Sequence, residues 1–226
     1  MKSIVILIAL LCFANNVFAE SDAVLCAQND KDACDYVAIA YDEENNHAMA
    51  MVNFRKACKL NSDYGCFWLG LYLDPEFIEY KVDKDLQASN LAYKKACEME
   101  YASACNNLGT YLRDGRNGQA VDMPLAMEYF KKACLEIEDA EGEACLSLGY
   151  EYDVGKNVKS DKALAHSIYL RGCDEIDHAG SCYGLANTFY NGEGVRQSNK
   201  NAKFYYAKAC NGGDEDGCEM LEYLFD

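Results

Sequence analysis

A chain of 226 residues with 21 Lys+Arg against 37 Asp+Glu carries a formal charge of −16. That balance excludes nucleic acid and anionic membrane surfaces as partners, because both attract basic patches. Half of the residues are apolar and 12% are aromatic, which excludes a disordered acidic tail.

The N-terminus predicts export. Met1 and Lys2 form a short basic start, Ile4 to Phe13 is an apolar run, and Val17-Phe18-Ala19 places a small residue at a cleavage position. Residues 1–19 read as a secretory signal that ends at Ala19 and takes Cys12 with it. The apolar run is too short to span about 30 Å of hydrocarbon. The expected location is secreted or periplasmic, with no membrane attachment after cleavage, and the short Lys-led signal suits a bacterium.

Twelve cysteines follow, in six local pairs: Cys26/Cys34, Cys58/Cys66, Cys97/Cys105, Cys134/Cys145, Cys173/Cys182 and Cys210/Cys218. Members of a pair lie 8, 8, 8, 11, 9 and 8 positions apart, and the first members recur after 32, 39, 37, 39 and 37 residues. A period of that size signals stacked supersecondary units. An even cysteine count in an exported chain signals disulfides, and locality favours pairing within each unit. Metal binding is the rival reading. It wants C-x₂-C steps and histidines, but no pair has that spacing, and the histidines are only His47, His166 and His178. No metal or other cofactor is expected.

Each pair marks two helices. Three, four and seven positions after the second cysteine stand Val37, Leu69, Leu108, Leu148, Leu185 and Leu221; Ala38, Gly70, Gly109, Gly149, Ala186 and Glu222; and Tyr41, Leu73, Leu112, Tyr152, Phe189 and Phe225. These offsets fall on one helical face, and the small residue lets a neighbouring helix approach. Glu222 breaks the pattern, as a solvent-facing terminal unit should.

Four positions before the first cysteine stand Phe54, Tyr93, Phe130, Tyr169 and Tyr206; eight before it, Ala50, Ser89, Ala126, Ala165 and Ala202. Asp22 replaces the aromatic in the first unit, which predicts a short opening helix there. Gly115, Gly155 and Gly192 fit the left-handed residue that ends a helix. Asp122, Asp161 and Ser198 or Asn199 fit the caps that begin the next. Loop 74–84, with Asp74-Pro75, is atypical, and no linker interrupts residues 20–226. The predicted architecture is all-α: an α/α solenoid of about six disulfide-clamped helix pairs.

The patterns [LV]-[GA]-x-x-[YLF]-x-x-G and A-x-x-x-[YF]-x-[KR]-A, clearest in residues 185–195 and 148–155, resemble the Sel1-like repeat, a cousin of the tetratricopeptide repeat. With the paired cysteines added, the chain from about Cys26 onward resembles the Helicobacter cysteine-rich protein family. That resemblance implies one disulfide per unit and a periplasmic or secreted location. It also implies a group classed as β-lactamases for penicillin binding and slow hydrolysis, some of whose members act on a host.

No serine- or zinc-lactamase motif is present, so the sequence does not reveal which residues would carry such hydrolysis. A serine β-lactamase needs S-x-x-K, and no serine here has lysine three positions later. His166, between core positions of a helix, reads as structural.

Two binding features remain. Lys56, Lys95, Lys132, Arg171 and Lys208 all stand two residues before the first cysteine. A cation there meets the negative end of a helix dipole, or forms a positive strip for carboxylates such as a D-alanyl terminus. Tyr72, Tyr111, Tyr150, Tyr183 and Tyr190, with Asn106, Asn107 and Asn187, fall beside the core stripes. They would line a concave groove or pack between helices. The candidate ligand contacts are therefore Lys56, Lys95, Lys132, Arg171, Lys208, Tyr111 and Asn107, and no catalytic residue is identified. The predicted function is binding of a peptide, a protein or a cell-wall or β-lactam-like small molecule by a monomer. Slow β-lactam hydrolysis and a host-directed role are the alternatives that the resemblance implies.

Overall fold

Residues 21–225 are described by the computed structural model, so the expected signal over 1–19 lies outside them. The chain forms two compact units, one up to Met99 and one from Glu100 onward. The first holds α1 (described over 21–27), α2 (Lys31–Glu43), α3 (His47–Lys59), α4 (Asp63–Leu73) and α5 (Leu86–Glu98). The second holds α6 (Ala102–Asp114), α7 (Met123–Lys131), α8 (Gly142–Val154), α9 (Lys162–Asp174), α10 (Ala179–Asn191), α11 (Asn199–Asn211) and α12 (Glu215–Phe225). No strand occurs among the described residues.

The cysteines clamp the helix pairs one by one. Cys26–Cys34 and Cys58–Cys66 close hairpins in the first unit; Cys134–Cys145, Cys173–Cys182 and Cys210–Cys218 do so in the second. Cys97 and Cys105 are disulfide-bonded too. The 11-residue step in the fourth pair is absorbed by a π turn, Lys132–Glu136, which continues α7. Ile137 follows it and turns into the core, 4% exposed. The wider turn carries the extra residues without unseating Cys134 or Cys145, both fully buried.

The stripes form the cores of both units. Phe54, Tyr93, Phe130, Tyr169 and Tyr206 are buried, as are the small residues four positions earlier, Ala50, Ser89, Ala126, Ala165 and Ala202. The aromatic ring needs the small partner on the facing helix. A Cβ on Gly149 would lie 2.5 Å from Cε1 of Tyr169, and one on Gly70 would lie 2.7 Å from the Tyr93 ring. The sequence patterns are thus two halves of one contact.

Helix ends follow the expected chemistry. Asp122, Asp161 and Ser198 accept the backbone N–H of Leu125, Leu164 and Asn201. Gly115, Gly155 and Gly192 close α6, α8 and α10 at φ of 66°, 69° and 74°. Glu222 is exposed on the last helix. The short opening helix expected from Asp22 adjoins residues that lie outside the described ones.

The atypical connection from α4 to α5 is tied down by its own side chains. Buried Asp74 accepts from the Glu76 N–H at 2.9 Å and from the Tyr93 hydroxyl at 3.3 Å. Lys84 donates to the carbonyls of Phe77 and Tyr72 at 2.6 and 3.0 Å. Tyr80 stacks on Tyr72 with ring centroids 4.2 Å apart. The Tyr72 hydroxyl donates to Asp42, which also faces His47 Nδ1 at 3.2 Å.

Candidate functional site

The basic ladder is engaged with the protein itself. The Lys95 ammonium donates to the Cys58 carbonyl at 2.6 Å, Arg171 Nε to the Cys134 carbonyl at 2.8 Å, and Lys208 to the Cys173 carbonyl at 2.6 Å. Lys56 donates to the Cys26 carbonyl in the same way. Lys132 holds the same sequence position, two residues before Cys134, and is engaged as well. In these four, the cation reaches back one repeat and satisfies the carbonyl of that repeat's first cysteine, at a helix end where backbone acceptors outnumber donors. Lys208 also contacts Asp174 and Asp177 at 3.2 and 3.3 Å.

Removing one rung isolates its contribution. Lys95→Met keeps the apolar stem and deletes the donor. Hydrogen bonds to charged groups contribute about 1.5–3 kcal/mol, and half-exposure of Lys95 brings the expected loss to about 1–2 kcal/mol. Denaturant midpoints of the two proteins check this. An unchanged midpoint would leave the ladder without a structural role.

Of the other sequence candidates, Tyr111 is buried at 3% exposure, with the Arg116 guanidinium 5.8 Å from its ring centre. It therefore presents no open surface. Asn107 is half-buried on α6. The three histidines are in separate places. His47 faces Asp42, and His178 caps α10. His166 Nδ1 lies 2.7 Å from Thr188 Oγ1, with its ring edge-on to Phe189, and burial pushes its pKa down. No group of His, Cys, Asp and Glu among the described residues could hold a metal ion. No helix among them is long and apolar enough to cross a membrane.

An open, chemically varied cleft lies in the second unit between α6 and α8. Asn106, Thr110 and Arg113 line it from α6; Glu143, Leu146, Ser147 and Tyr150 line it from α8, around a volume of about 410 Å³. Both sets follow helical spacing, so each helix offers one stripe. The Arg113 guanidinium is oriented by Asp114, at 2.7 and 3.0 Å, and by Ser147 Oγ at 3.3 Å. Its plane lies near the Phe130 ring, 5.7 Å from the centre. The hydrogen bond to Asp114 raises the pKa of Arg113 and lowers that of Asp114.

Asn106 Oδ1 is buried and has no hydrogen-bond partner among the described residues. Such an atom costs about 1–3 kcal/mol, and a ligand N–H would recover that cost. Tyr150, at 55% exposure, is an aromatic left open at the edge.

Asn106 and Tyr150 were visible in the sequence as polar and aromatic positions beside the core stripes. Arg113, Glu143 and Ser147 were not, because nothing in their spacing separates a cleft wall from an ordinary solvated face. Thr110 and Tyr150 share one position, five residues after a second cysteine, which is the signal that could have marked the two facing walls.

Residues 102–136, 142–177 and 179–214 each match the Sel1 repeat model. Over 165 residues the chain is 27% identical to "Cytochrome c oxidase assembly factor 7" of Xenopus tropicalis, covering 71% of this chain and 68% of that protein. Among solved structures, a Sel1 repeat protein from Oxalobacter formigenes is similar with a TM-score of 0.77 at 23% identity, over 88% of this chain and 80% of that one. That likeness shows the fold. Helicobacter pylori cysteine rich protein B is 33% identical, covering 61% of this chain and 96% of that one, with a TM-score of 0.48.

Proposed function

Because the chain belongs to the Sel1-like cysteine-rich repeat proteins, we propose that it is a binding module whose second unit takes up an extended peptide or protein segment in the α6/α8 cleft. The observation that carries this reading is the unpartnered Asn106 Oδ1 beside the remaining donors of Arg113. A peptide backbone alternates N–H and C=O, so it can satisfy both. Helical repeats expose extended surfaces of this kind, although the fold alone does not name the ligand. The Xenopus relative is named for what it helps to assemble, which agrees with a role in holding other proteins.

In this reading the ladder from Lys56 to Lys208 stitches repeats together and is not a carboxylate strip. The disulfide frame fits a compartment outside the reducing cytosol. We take export through residues 1–19 as the route.

Selection of displayed peptides against the oxidised protein tests the reading. Binders are expected to lose about 5- to 100-fold in affinity on Asn106→Ala, the worth of one buried hydrogen bond. They should be blocked by Ser147→Trp, which fills the cleft. Binders indifferent to both substitutions would place recognition elsewhere.

A further inference from the structure

Building on the α6/α8 cleft as the binding site, we infer that it selects a peptide carrying a lysine or arginine, whose cationic head is held by the Glu143 carboxylate while its stem lies across Leu146 toward the Tyr150 ring. Glu143, Leu146, Ser147 and Tyr150 sit at i, i+3, i+4 and i+7 on α8, so they form one stripe about 10 Å long. That length accommodates an extended basic side chain.

Glu143 is held in place. His178 caps α10, and its Nδ1 receives the Ser181 N–H at 3.2 Å. An Nδ1 that accepts this bond carries no proton, so the hydrogen of the neutral ring is on Nε2. Nε2 lies 3.2 Å from Glu143 Oε1 and donates to it. His178 packs close over Gly142, where a Cβ would come within 2.6 Å of His178 Cβ, so the glycine leaves the ring its place. Glu143 is thus oriented through Oε1 by a ring that also caps α10, and Oε2 is left for a ligand. The hydrogen bond from His178 keeps the Glu143 pKa below the ordinary carboxylate value.

The cation in the cleft is already engaged. Arg113 faces the same space and acts on Glu143 electrostatically, but it pairs with Asp114 through two hydrogen bonds, and Asp114 also meets Arg116 at 3.7 Å. Glu143 is the more open of the two carboxylates, its side chain 61% exposed against 31% for Asp114. The formal charge of −16 on the whole chain attracts cationic ligands at longer range.

The test uses four N-acetylated, C-amidated pentapeptides, Ala-Ala-X-Ala-Ala with X as lysine, arginine, norleucine or glutamate, titrated against the oxidised, ¹⁵N-labelled full chain. Lysine and arginine peptides are expected to bind at least tenfold more tightly than norleucine, with shifts centred on α6 and α8. Glu143→Gln should erase that preference. His178→Asn retains a good N-cap residue but removes the bond to Glu143, and should reduce the preference about threefold without altering the melting midpoint. Equal affinity for all four peptides, or a preference untouched by Glu143→Gln, overturns the inference while leaving the cleft as a peptide site. Failure of every peptide to shift α6 and α8 resonances overturns both.

Discussion

Full reduction of the cysteines is expected to abolish cooperative folding at 25 °C. Each bridge closes a ring of about nine to twelve residues, and constraining such a ring in the unfolded chain is worth about 2.6 kcal/mol. Cys26–Cys34, Cys58–Cys66, Cys134–Cys145, Cys173–Cys182 and Cys210–Cys218 are five such bridges. Even if shared constraints remove half of their nominal sum, the loss rivals the whole stability of an ordinary domain, about 5–15 kcal/mol. No large core compensates, because each helix pair buries its stripe only against its neighbours.

Circular-dichroism melts with and without a thiol reductant check this. A single bridge can be removed with the double variant Cys173→Ser/Cys182→Ser, for which a loss of about 2–3 kcal/mol is expected. Coincident melts of oxidised and reduced protein would show that the bridges are incidental to stability.

The second large effect concerns pH. Asp35 is 8% exposed on α2 and lies against the start of α4. Ser62 Oγ donates to its Oδ2 at 2.5 Å and accepts the Gly65 N–H at 2.8 Å, while Oδ1 is buried without a hydrogen-bond partner. Burial pushes its pKa up to about 6, against the opposing hydrogen bond from Ser62; Asp32 and Asp63 add repulsion, and Lys31 works the other way. A helix N-terminus favours a carboxylate by about 0.3–1 kcal/mol, which is too little to offset burial.

The raised value fixes the sign. The protonated acid is favoured in the fold, so the contribution of Asp35 is full below the unfolded value near 4 and is lost as pH climbs to about 6. At about 1.4 kcal/mol per tenfold change, that loss amounts to about 3 kcal/mol. Asp35→Asn is neutral at every pH and can keep the Ser62 bond. Its stability relative to wild type should therefore rise between pH 4 and pH 6 and level off above. Denaturation midpoints of the pair across pH 4–8 measure the difference. A flat difference curve would show that the buried carboxyl exerts no such strain.

The ladder shows how a pattern can be legible while its partner is not. Lys56, Lys95, Lys132, Arg171 and Lys208 recur in register with the cysteines, and a helix-end role followed from that position alone. Their acceptors are 30 to 37 residues away for the rungs at Lys56, Lys95, Arg171 and Lys208. They are backbone carbonyls, which have no letter in a sequence. Asp35 is similar: Phe67, Asn106, Leu146 and Tyr183 occupy the same place after their own cysteines, and only packing reveals that an acid there is starved of partners.

The amino-acid order by itself determined the helix pairs, their caps and their disulfide partners. Those depend on contacts fewer than about a dozen residues apart, and the repeat states each of them several times. The cleft was decided by tertiary structure alone. It needs α6 and α8, separated by a whole intervening helix, to present particular faces to one another, and the charge exposed in it depends on which ion pairs the packing allows.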